Sequence, residues 1–453
     1  MESYKFSKFN LLYKIDGSMF VVNTYSGAIL KVDNEFVEVF KSKSVDKLPQ
    51  DIKEVLINNG ILVPNSLDEL KRIEFEYNLS RFHPKVFKAT LTLTRDCNLA
   101  CPYCYQLQRG LRERKYLTKT DANSLVLFFE RMFNTYSLPI SIFLTGGEPL
   151  VNFDTAMYIF DSLIQKEIPW KFDGIVTNGT LLDMETLRLI DEYGHKSNSL
   201  VRLQVTLDGY KQRHDKFRFF KDTREGTFDI IIDNLKNAKK FKHIHPFIRI
   251  NISLGNFEVE EIRELLTLLK QEHLDEIGTI YFAFVNSKSI PIVSGKKNKY
   301  FITGKTVARV FRQLLDIAED VGVNMMNLTQ LVNRTGHFCM FDTPFSIAVD
   351  FDLSVYKCWE LVGDKRFSVG TIDSNGILKP NPSYYTIHSR NPTQFKQCSN
   401  CKLLPICMGG CAREALKLHG TFFGSGCIEL VYTYPIIIEY IVKKRISQNI
   451  QKS

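Results

Sequence analysis

The sequence lacks an apolar run long enough to cross a membrane. Its most apolar late stretch, YTYPIIIEYIVKK, is interrupted by Pro435 and Glu439 and is much shorter than the ~20 residues that a bilayer requires. The first residues, MESYKFSKFN, are polar and contain no apolar core of a signal peptide. These absences predict a cytoplasmic protein without a membrane partner, in a compartment where thiols stay reduced.

The composition also lacks the bias of a disordered chain and any long run of positive charge. Hydrophobic residues make up 44% and charged residues 24% of the 453 residues. These values are ordinary for a globular protein of about two or three domains. The formal net charge of +9 comes from Lys and Arg residues spread along the chain. A solvated basic surface explains this charge, so no nucleic-acid partner is predicted.

Cysteine, by contrast, is abundant, with ten residues in the chain. Three of them lie within eight positions of RDCNLACPYCYQ, as Cys97, Cys101 and Cys104. The other seven are Cys339, Cys358, Cys398, Cys401, Cys407, Cys411 and Cys427. In a reducing compartment, clustered cysteines indicate metal or redox chemistry rather than structural disulfides.

The chain divides into three segments that differ in composition and in predicted secondary structure. Residues 1–82 contain short β-like runs, turns and two helical stretches, which predicts a small α+β domain. Residues 83–325 repeat a strand and an amphipathic helix six times, which predicts an α/β fold with a partial (β/α)6 TIM-like barrel. Residues 326–453 are rich in Cys, Gly and Pro and end in a helical stretch. Bound metal is the expected source of stability in that segment.

Two motifs follow neighbouring predicted strands. The three-cysteine loop follows FKATLTLT, and the next strand, ISIFLTG, runs into TGGEPL, which contains Gly146, Gly147, Glu148 and Pro149. Both motifs are expected at the carboxyl edge of the barrel, where active sites lie. Three thiolates leave one iron of a four-iron cluster open to a cofactor, and bare glycine backbone can approach a ligand. The cysteine spacing alone also allows a zinc knuckle with a distant fourth ligand, or three unrelated buried thiols.

Together these motifs resemble the radical S-adenosylmethionine (SAM) superfamily. Its CxxxCxΦC signature, with an aromatic residue before the last cysteine, is matched by Cys97, Cys101, Tyr103 and Cys104. The resemblance implies a [4Fe–4S] cluster whose open iron is chelated by SAM, with Tyr103 near the adenine and residues 146–149 near the methionyl amine. It also implies that an electron from a reductase, flavodoxin or ferredoxin cleaves SAM into methionine and a 5′-deoxyadenosyl radical that removes hydrogen from the substrate.

The segment VTLDGYKQRHDKFR resembles the fourth-strand segment of the same superfamily. Thr206 stands where serine is common and keeps a hydroxyl that could reach SAM, and Arg218 is expected to face the SAM carboxylate. His214 and Asp215 also match the pattern, but helix-start and surface positions explain them, so they receive no catalytic role. Asn178 in VTNGT ends a strand and either lines the same cavity or forms a turn.

The C-terminal cysteines resemble the SPASM domain of peptide-modifying radical SAM proteins. The spacing of 2, 5 and 3 residues differs from the two paired knuckles of a zinc ribbon. The resemblance implies two auxiliary [4Fe–4S] clusters, and therefore three clusters in all. The first would be held by Cys339, Cys358 and Cys411, and the second by Cys398, Cys401, Cys407 and Cys427.

Two features depart from the SPASM pattern. The first auxiliary cluster has only three protein thiolates, so either His337 or Asp342 completes it or an iron is exposed to a substrate thiolate. Leu353 and Ser354 replace the Asp-Gly turn that is common before the second cysteine. That hairpin therefore has no clear sequence signal.

The N-terminal segment resembles the recognition element that captures the leader of a ribosomally made precursor peptide as an added strand. A structural cap on the barrel is the alternative. The combined resemblance implies a peptide maturase that forms a thioether between a cysteine sulfur and a carbon atom. A carbon–carbon or carbon–oxygen cross-link, or Cys or Ser oxidation as in sulfatase maturation, remains open. A non-catalytic zinc-binding peptide adaptor is the alternative outside enzymes.

Overall fold

The computed structural model describes residues 3–253, 257–285, 304–427 and 429–450. The chain forms two compact units. The first comprises Met1–His83, Asn327–Asp342 and Arg390–Ser453, and the second comprises Pro84–Met326 and Thr343–Ser389. Each unit is therefore assembled from segments that are distant in the sequence.

Short strands and helices alternate along the whole chain. The strands are β1 Tyr4–Phe6, β2 Asn10–Ile15, β3 Ser18–Asn23, β4 Ile29–Val32, β5 Leu62–Pro64, β6 Phe87–Thr92, β7 Ile140–Thr145, β8 Trp170–Thr177, β9 Val201–Leu207, β10 Ile244–Ile252, β11 Thr279–Phe284, β12 Ser346–Val349, β13 Ser354–Tyr356, β14 Gly370–Ile372 and β15 Leu378–Pro380. The helices are α1 Asn34–Ser42, α2 Gln50–Asn58, α3 Glu69–Phe82, α4 Tyr105–Gln108, α5 Lys119–Tyr136, α6 Phe153–Gln165, α7 Met184–Lys196, α8 Lys211–Phe217, α9 Phe228–Ala238, α10 Val259–Gln271, α11 Leu274–Ile277, α12 Lys305–Val321, α13 Pro382–His388, α14 Lys396–Ser399, α15 Leu404–Cys407, α16 Ala412–His419 and α17 Leu430–Ile450.

A parallel sheet forms the centre of the second unit. Strands β6 to β11 each pair in parallel with the next strand along the chain. Helices α5, α6, α7, α9 and α10 lie between successive strands in the sequence, and the strands bury apolar side chains such as Ile142, Val205 and Ile250 completely. This arrangement confirms the predicted α/β partial barrel, because parallel neighbours require a crossover helix between them.

Four further strands extend this sheet beyond β6. Strand β12 pairs in parallel with β6, and β13, β14 and β15 follow in antiparallel order. Residues 343–389 therefore belong spatially to the second unit, although they fall in the predicted segment 326–453. The turn between β12 and β13 forms with Leu353 at a φ of +62°, a left-handed conformation that glycine adopts more readily.

An antiparallel sheet of β2, β3 and β4 organises the N-terminal part of the first unit. On one face, Val21 packs with Phe36 and Leu56 of helices α1 and α2. On the other face, side chains of the sheet pack against the C-terminal helix α17. That cluster contains the buried residues Ile15, Phe20, Val22, Leu403, Ile406, Tyr434, Ile438 and Val442. The sheet is thus covered by apolar contacts on both faces.

Helix α17 is a packed element of the first unit. It contains Pro435, the proline that interrupts the apolar stretch in the sequence. Among the described residues, no helix has both the length and the hydropathy needed to cross a membrane. The apolar side chains of α17 instead join the cluster beneath the N-terminal sheet.

We predict that Ile438→Ala destabilises the first unit. Ile438 is completely buried, so its truncation leaves a cavity and should lower the free energy of unfolding by about 2–5 kcal/mol. The control is Ile446→Ala on the same helix, where the side chain is 43% exposed and the expected change is within about 0.5 kcal/mol. Urea unfolding followed by circular dichroism measures both. Equal losses would show that this packing does not stabilise the unit.

Candidate functional site

The loop after β6 brings the first three cysteines together. Cys97 is 5% exposed and Cys101 is 6% exposed, and both pack with Leu99, Tyr103, Cys104 and Phe220 in one cluster. Burial is the main cause that raises the pKa of Cys101 to about 12; the Arg218 cation opposes the rise, and charges on Cys104 and Cys97 contribute to it. Without metal the Cys97 and Cys101 thiols therefore hold their protons, and metal binding would release them.

The three thiols are neighbours, but they are not yet arranged as ligands. In the part of the chain that the structure describes, no group of three or more His, Cys, Asp or Glu side chains has the arrangement of a metal site. The donor set itself, three adjacent thiols in a loop at the carboxyl end of a barrel strand, fits an iron–sulfur cluster. Their assignment as cluster ligands stays a prediction.

Gly146 and Gly147 allow the loop after β7 to touch the cysteine loop. The Gly147 N–H donates to the carbonyl oxygen of Thr94 at 2.9 Å, and the Glu148 N–H donates to that of Asp96 at 2.8 Å. A Cβ at Gly147 would lie 1.9 Å from the Asp96 oxygen, and one at Gly146 would lie 2.2 Å from the Thr94 oxygen. Only glycine fits this contact. The backbone thus holds the neighbouring loop, and the predicted approach to SAM stays a prediction.

Glu148 links the ends of β7 and β8. Its fully buried carboxylate accepts hydrogen bonds from the Thr177 hydroxyl at 2.8 Å and from the N–H groups of Asn178 at 2.7 Å and Leu150 at 3.1 Å. Burial raises the pKa of Glu148 to about 7, although these hydrogen bonds favour the charged form. Pro149 follows it and is also buried.

Asn178 both forms a turn and contacts the cysteine loop. Its side-chain oxygen accepts from the Thr180 N–H at 2.9 Å, as in an Asx turn. Its side-chain nitrogen donates to the Asn98 oxygen at 2.7 Å and lies 3.8 Å from the Cys97 sulfur. The structure thus shows the turn and a contact with the cysteine loop, and the interpretation that Asn178 lines the cavity stays a prediction.

Tyr103, Asp208 and Arg218 form a buried polar group. The Tyr103 hydroxyl donates to the Asp208 carboxylate, and Arg218 Nη1 donates to the Tyr103 oxygen at 2.9 Å. Burial raises the pKa of Asp208, and the Arg218 cation opposes that rise. In the described ranges, the buried Arg218 Nε has no hydrogen-bond partner. This unpartnered donor fits a ligand with an acceptor such as a carboxylate.

A cleft opens beside this group. It is lined by Pro102, Tyr103, Asp208, Phe217, Asn251, Ser253 and Val285. Thr206 is buried on β9, two residues before Asp208. The structure therefore places Tyr103 and Arg218 together at the carboxyl ends of the strands. Their contacts with SAM stay predictions.

His214 and Asp215 form hydrogen bonds that connect the backbone segments carrying Asp208 and Arg218. The two ring nitrogens of His214 have different partners: Nδ1 accepts from the Asp208 N–H at 3.3 Å, and Nε2 lies 3.1 Å from the Thr227 hydroxyl. The Thr227 hydroxyl in turn donates to the Arg218 carbonyl oxygen at 3.0 Å. Asp215 accepts from the Thr227 N–H at 2.8 Å. The interpretation of His214 as a surface residue was wrong, since it is completely buried in the last turn of α8.

Arg112 is a site residue that the motifs did not reveal. One of its guanidinium nitrogens donates to the Leu99 carbonyl oxygen inside the cysteine loop. Charges on Cys104, Cys97 and Cys101 and a hydrogen bond with Cys104 raise its pKa, so the cation lies beside all three thiols. No fixed spacing from Cys104 identifies such a residue in a sequence.

In the first unit, the four cysteines predicted for the second auxiliary cluster also converge. Burial raises the pKa of both Cys398 and Cys407 to about 12, and charges on Cys401 and Cys427 add to the rise. The three cysteines predicted for the first auxiliary cluster are divided, with Cys339 and Cys411 in the first unit and Cys358 in the second. Their assignment to one cluster stays a prediction.

Asp342 has its carboxylate oxygens engaged elsewhere. One oxygen accepts from Arg390 at 3.0 Å and from the Tyr77 hydroxyl at 3.3 Å, and the other accepts from the Phe338 N–H at 3.1 Å. His337 Nδ1 lies 3.1 Å from the Ser80 hydroxyl. These contacts give Asp342 a structural role and weaken the suggestion that it completes the first auxiliary cluster.

The fold and the site define a class of protein: a partial α/β barrel with a three-cysteine loop at the carboxyl edge of its sheet. Residues 91–269 match the family model of the Radical SAM superfamily. This segment of the chain is therefore similar to radical SAM domains.

Relatives with known names match much of the chain. It is 23% identical to the radical SAM cyclopropyl synthase TigE of Paramaledivibacter caminithermalis, over 96% of this chain and 94% of that protein. It is 25% identical to a cysteine-type anaerobic sulfatase-maturating enzyme of Clostridium novyi, over 70% of this chain and 86% of that protein.

Solved structures share the fold. The sulfatase-maturating enzyme anSMEcpe with bound AdoMet has a TM-score of 0.60 at 18% identity, and the match covers 80% of this chain and 99% of that chain. Streptococcus suis SuiB has a TM-score of 0.52 at 15% identity, and the match covers 93% of this chain and 99% of that chain. At these identities the likeness concerns the fold alone.

We predict that Gly147→Ala separates the two loops of the site. The new Cβ would meet backbone atoms of Asp96 and Arg95, which cannot move aside as a flexible side chain can. Iron retained after anaerobic reconstitution and SAM affinity by isothermal calorimetry should both fall. The control is Gly110→Ala, where the Cβ meets nothing within 4 Å and only the φ of +64° costs about 1 kcal/mol. Equal effects of the two substitutions would contradict the loop contact.

Proposed function

We propose that this protein is a radical SAM maturase that cross-links a ribosomally synthesised precursor peptide. The observation that carries the proposal is the gathering of Cys97, Cys101 and Cys104 in the same unit as the Tyr103–Asp208–Arg218 group. The names of the relatives support the peptide substrate. SuiB has been solved with its precursor peptide SuiA, and anSMEcpe with AdoMet and a Cp18Cys peptide.

Different residues of this site would bind the cluster and SAM. SAM bound to a reduced [4Fe–4S] cluster supplies a 5′-deoxyadenosyl radical that abstracts hydrogen from the substrate. Cys97, Cys101 and Cys104 would hold the cluster, and the buried Leu99 excludes water between them. Arg218 offers its unpartnered Nε–H to the SAM carboxylate, which is a charge-assisted hydrogen bond.

The lead reaction is thioether formation, which requires an electron acceptor. Joining a thiol sulfur to a carbon that carries hydrogen breaks one S–H and one C–H bond and forms one S–C bond. One hydrogen leaves as an atom, and the other leaves as a proton and an electron. Cys398, Cys401, Cys407 and Cys427, which act electrostatically on one another, would hold an auxiliary cluster that can take this electron.

A carbon–carbon cross-link is the second candidate reaction. The relative TigE is named a cyclopropyl synthase, and it matches 96% of this chain. Closing a cyclopropane also removes two hydrogens, so it needs the same acceptor. The two reactions differ in whether a substrate thiol is consumed.

The N-terminal sheet has two edge strands to which an extended leader peptide could add. Strands β2 and β4 are its two edges. Helix α17 packs against one face of this sheet, where the rings of Tyr13 on β2 and Tyr434 are 6.4 Å apart between their centres. Strand β4 is partly exposed, and we assign it as the strand to which an extended leader adds.

Co-expression with candidate short peptides tests the reaction. We expect each modification to lower the peptide mass by two hydrogens, because one new bond replaces two bonds to hydrogen. A cysteine that no longer reacts with iodoacetamide identifies a thioether, and a cysteine that still reacts identifies the carbon–carbon candidate. Unchanged peptide masses together with protein-bound zinc would contradict both and favour the non-catalytic adaptor.

Proline substitutions test the leader-binding edge. The Asn23 N–H donates to the Ala28 carbonyl, and this register turns the Lys31 N–H away from β3. Lys31→Pro therefore removes an outward donor without breaking the sheet, and should weaken leader binding about tenfold, the value of one hydrogen bond.

The matched control is Lys14→Pro on the opposite edge. The Lys14 N–H also points outward, as the Thr24–Phe9 hydrogen bond and the β2–β3 register require. Fluorescence anisotropy with the labelled leader of the co-expressed precursor measures both variants. We expect no loss for Lys14→Pro, and equal affinities of the two variants would rule out β4 as the binding strand.

A further inference from the structure

Arg390 is completely buried within the first unit, beside the cysteine-rich loops. Its Nη1 donates to the Asp342 carboxylate at 3.0 Å, so the buried cation has a buried anionic partner. Its remaining donors bind backbone rather than side chains. They contact the carbonyl oxygens of Phe422 (3.0 Å), Gly409 (3.3 Å), Gly410 (3.4 Å) and Gly424 (3.4 Å).

These carbonyl groups belong to two loops that carry cysteines. Gly409 and Gly410 separate Cys407 from Cys411, and residues 422–424 lead into Cys427. A guanidinium group has several donors in a fixed plane, so it fixes several carbonyl groups relative to one another. Arg390 therefore sets the position of one loop against the other.

Direct backbone contact completes this arrangement. The Cys411 N–H donates to the Gly426 carbonyl oxygen at 3.0 Å, and the Gly426 N–H donates to that of Gly409 at 2.9 Å. A Cβ at Gly426 would lie 1.8 Å from the Cys411 oxygen. The residue before Cys427 must therefore be glycine, and the approach of Cys427 is fixed without any metal.

The charge of Arg390 acts on the thiols as well. The Arg390 guanidinium group lies close enough to the Cys398 and Cys407 thiols for its charge to act on both. The Asp342 carboxylate, 3.0 Å from Arg390 Nη1, balances part of this buried charge. A positive charge near a cluster favours its reduced form, because reduction adds negative charge.

We propose that Arg390 is a positioning residue for an iron–sulfur cluster held by Cys398, Cys401, Cys407 and Cys427. It fixes the loops of Cys407 and Cys427 relative to one another through its hydrogen bonds to their backbone. The inference rests on the proposed function, which assigns these cysteines to an auxiliary cluster.

Three variants of the full chain test this role. Arg390→Gln removes the charge and most of the donors, and Arg390→Lys keeps the charge without the planar group of donors. Arg81→Gln is the control, because Arg81 is also buried and binds the carbonyl oxygens of Asp342 and of Arg390, so this variant removes a buried guanidinium group but keeps the Arg390 side chain. If Arg390→Gln acts only by destabilising the fold, Arg81→Gln should lose iron to the same extent.

The measurements are iron content after anaerobic reconstitution, the midpoint potential of the auxiliary signal, and the rate of iron loss to a chelator. Wild type and Arg81→Gln should hold about twelve irons per chain, four for each cluster, and Arg390→Gln about eight. Any auxiliary cluster that remains in Arg390→Gln should have a more negative potential. Arg390→Lys should keep the wild-type potential but lose iron faster.

Two results would overturn the proposal. Only the second would also contradict the proposed function. If wild type holds about twelve irons and both Arg390 variants match it in iron content, potential and chelator loss, only the role of Arg390 fails. If wild type itself holds about four irons, the second auxiliary cluster is absent, and the electron acceptor of the proposed function fails with it. If Arg390→Gln does not fold, the chelator rate of Arg390→Lys decides, and a wild-type rate overturns the proposal.

Discussion

The close approach of two backbone loops at the carboxyl ends of β6 and β7 is the constraint on which the site depends. Gly147 brings the second loop within hydrogen-bond distance of the cysteine loop, where no side chain would fit. The Glu148 carboxylate accepts a hydrogen bond from the Asn178 N–H at the end of β8, and the Asn178 side chain donates one to Asn98 in the cysteine loop. The three thiols are therefore positioned by neighbouring strands of the sheet, and parallel pairing of those strands is what makes the site possible.

Buried charge is used in the same way in both units. In the second unit Arg218 binds Tyr103 beside Asp208, and in the first unit Arg390 binds Asp342 and several carbonyl groups. A buried cation without a partner is costly, so each arginine fixes the groups that neutralise it. In each case the charge lies close to thiols that a metal would require as thiolates.

The sequence predicted those parts of the fold that depend on local patterns. Helix α1 occupies the predicted stretch NEFVEVFKS, and the six barrel strands follow their apolar runs, because each pairs with the next along the chain. Strands β12 to β15 were missed, since three or four residues show no measurable alternation and β12 pairs with the distant β6. The cysteines were found because ligand spacing is local. Arg112 and Arg390 act through folded contacts that no spacing encodes.

The most direct test of the account is electron paramagnetic resonance of the reduced, oxygen-protected protein with and without SAM. If Cys97, Cys101 and Cys104 hold a four-iron cluster with one open iron, SAM should change the g-values of its signal. Cys101→Ala should remove the SAM-sensitive signal and leave any signal of the other cysteines. A spectrum that SAM does not alter, or a SAM-sensitive signal that persists in Cys101→Ala, would contradict the account.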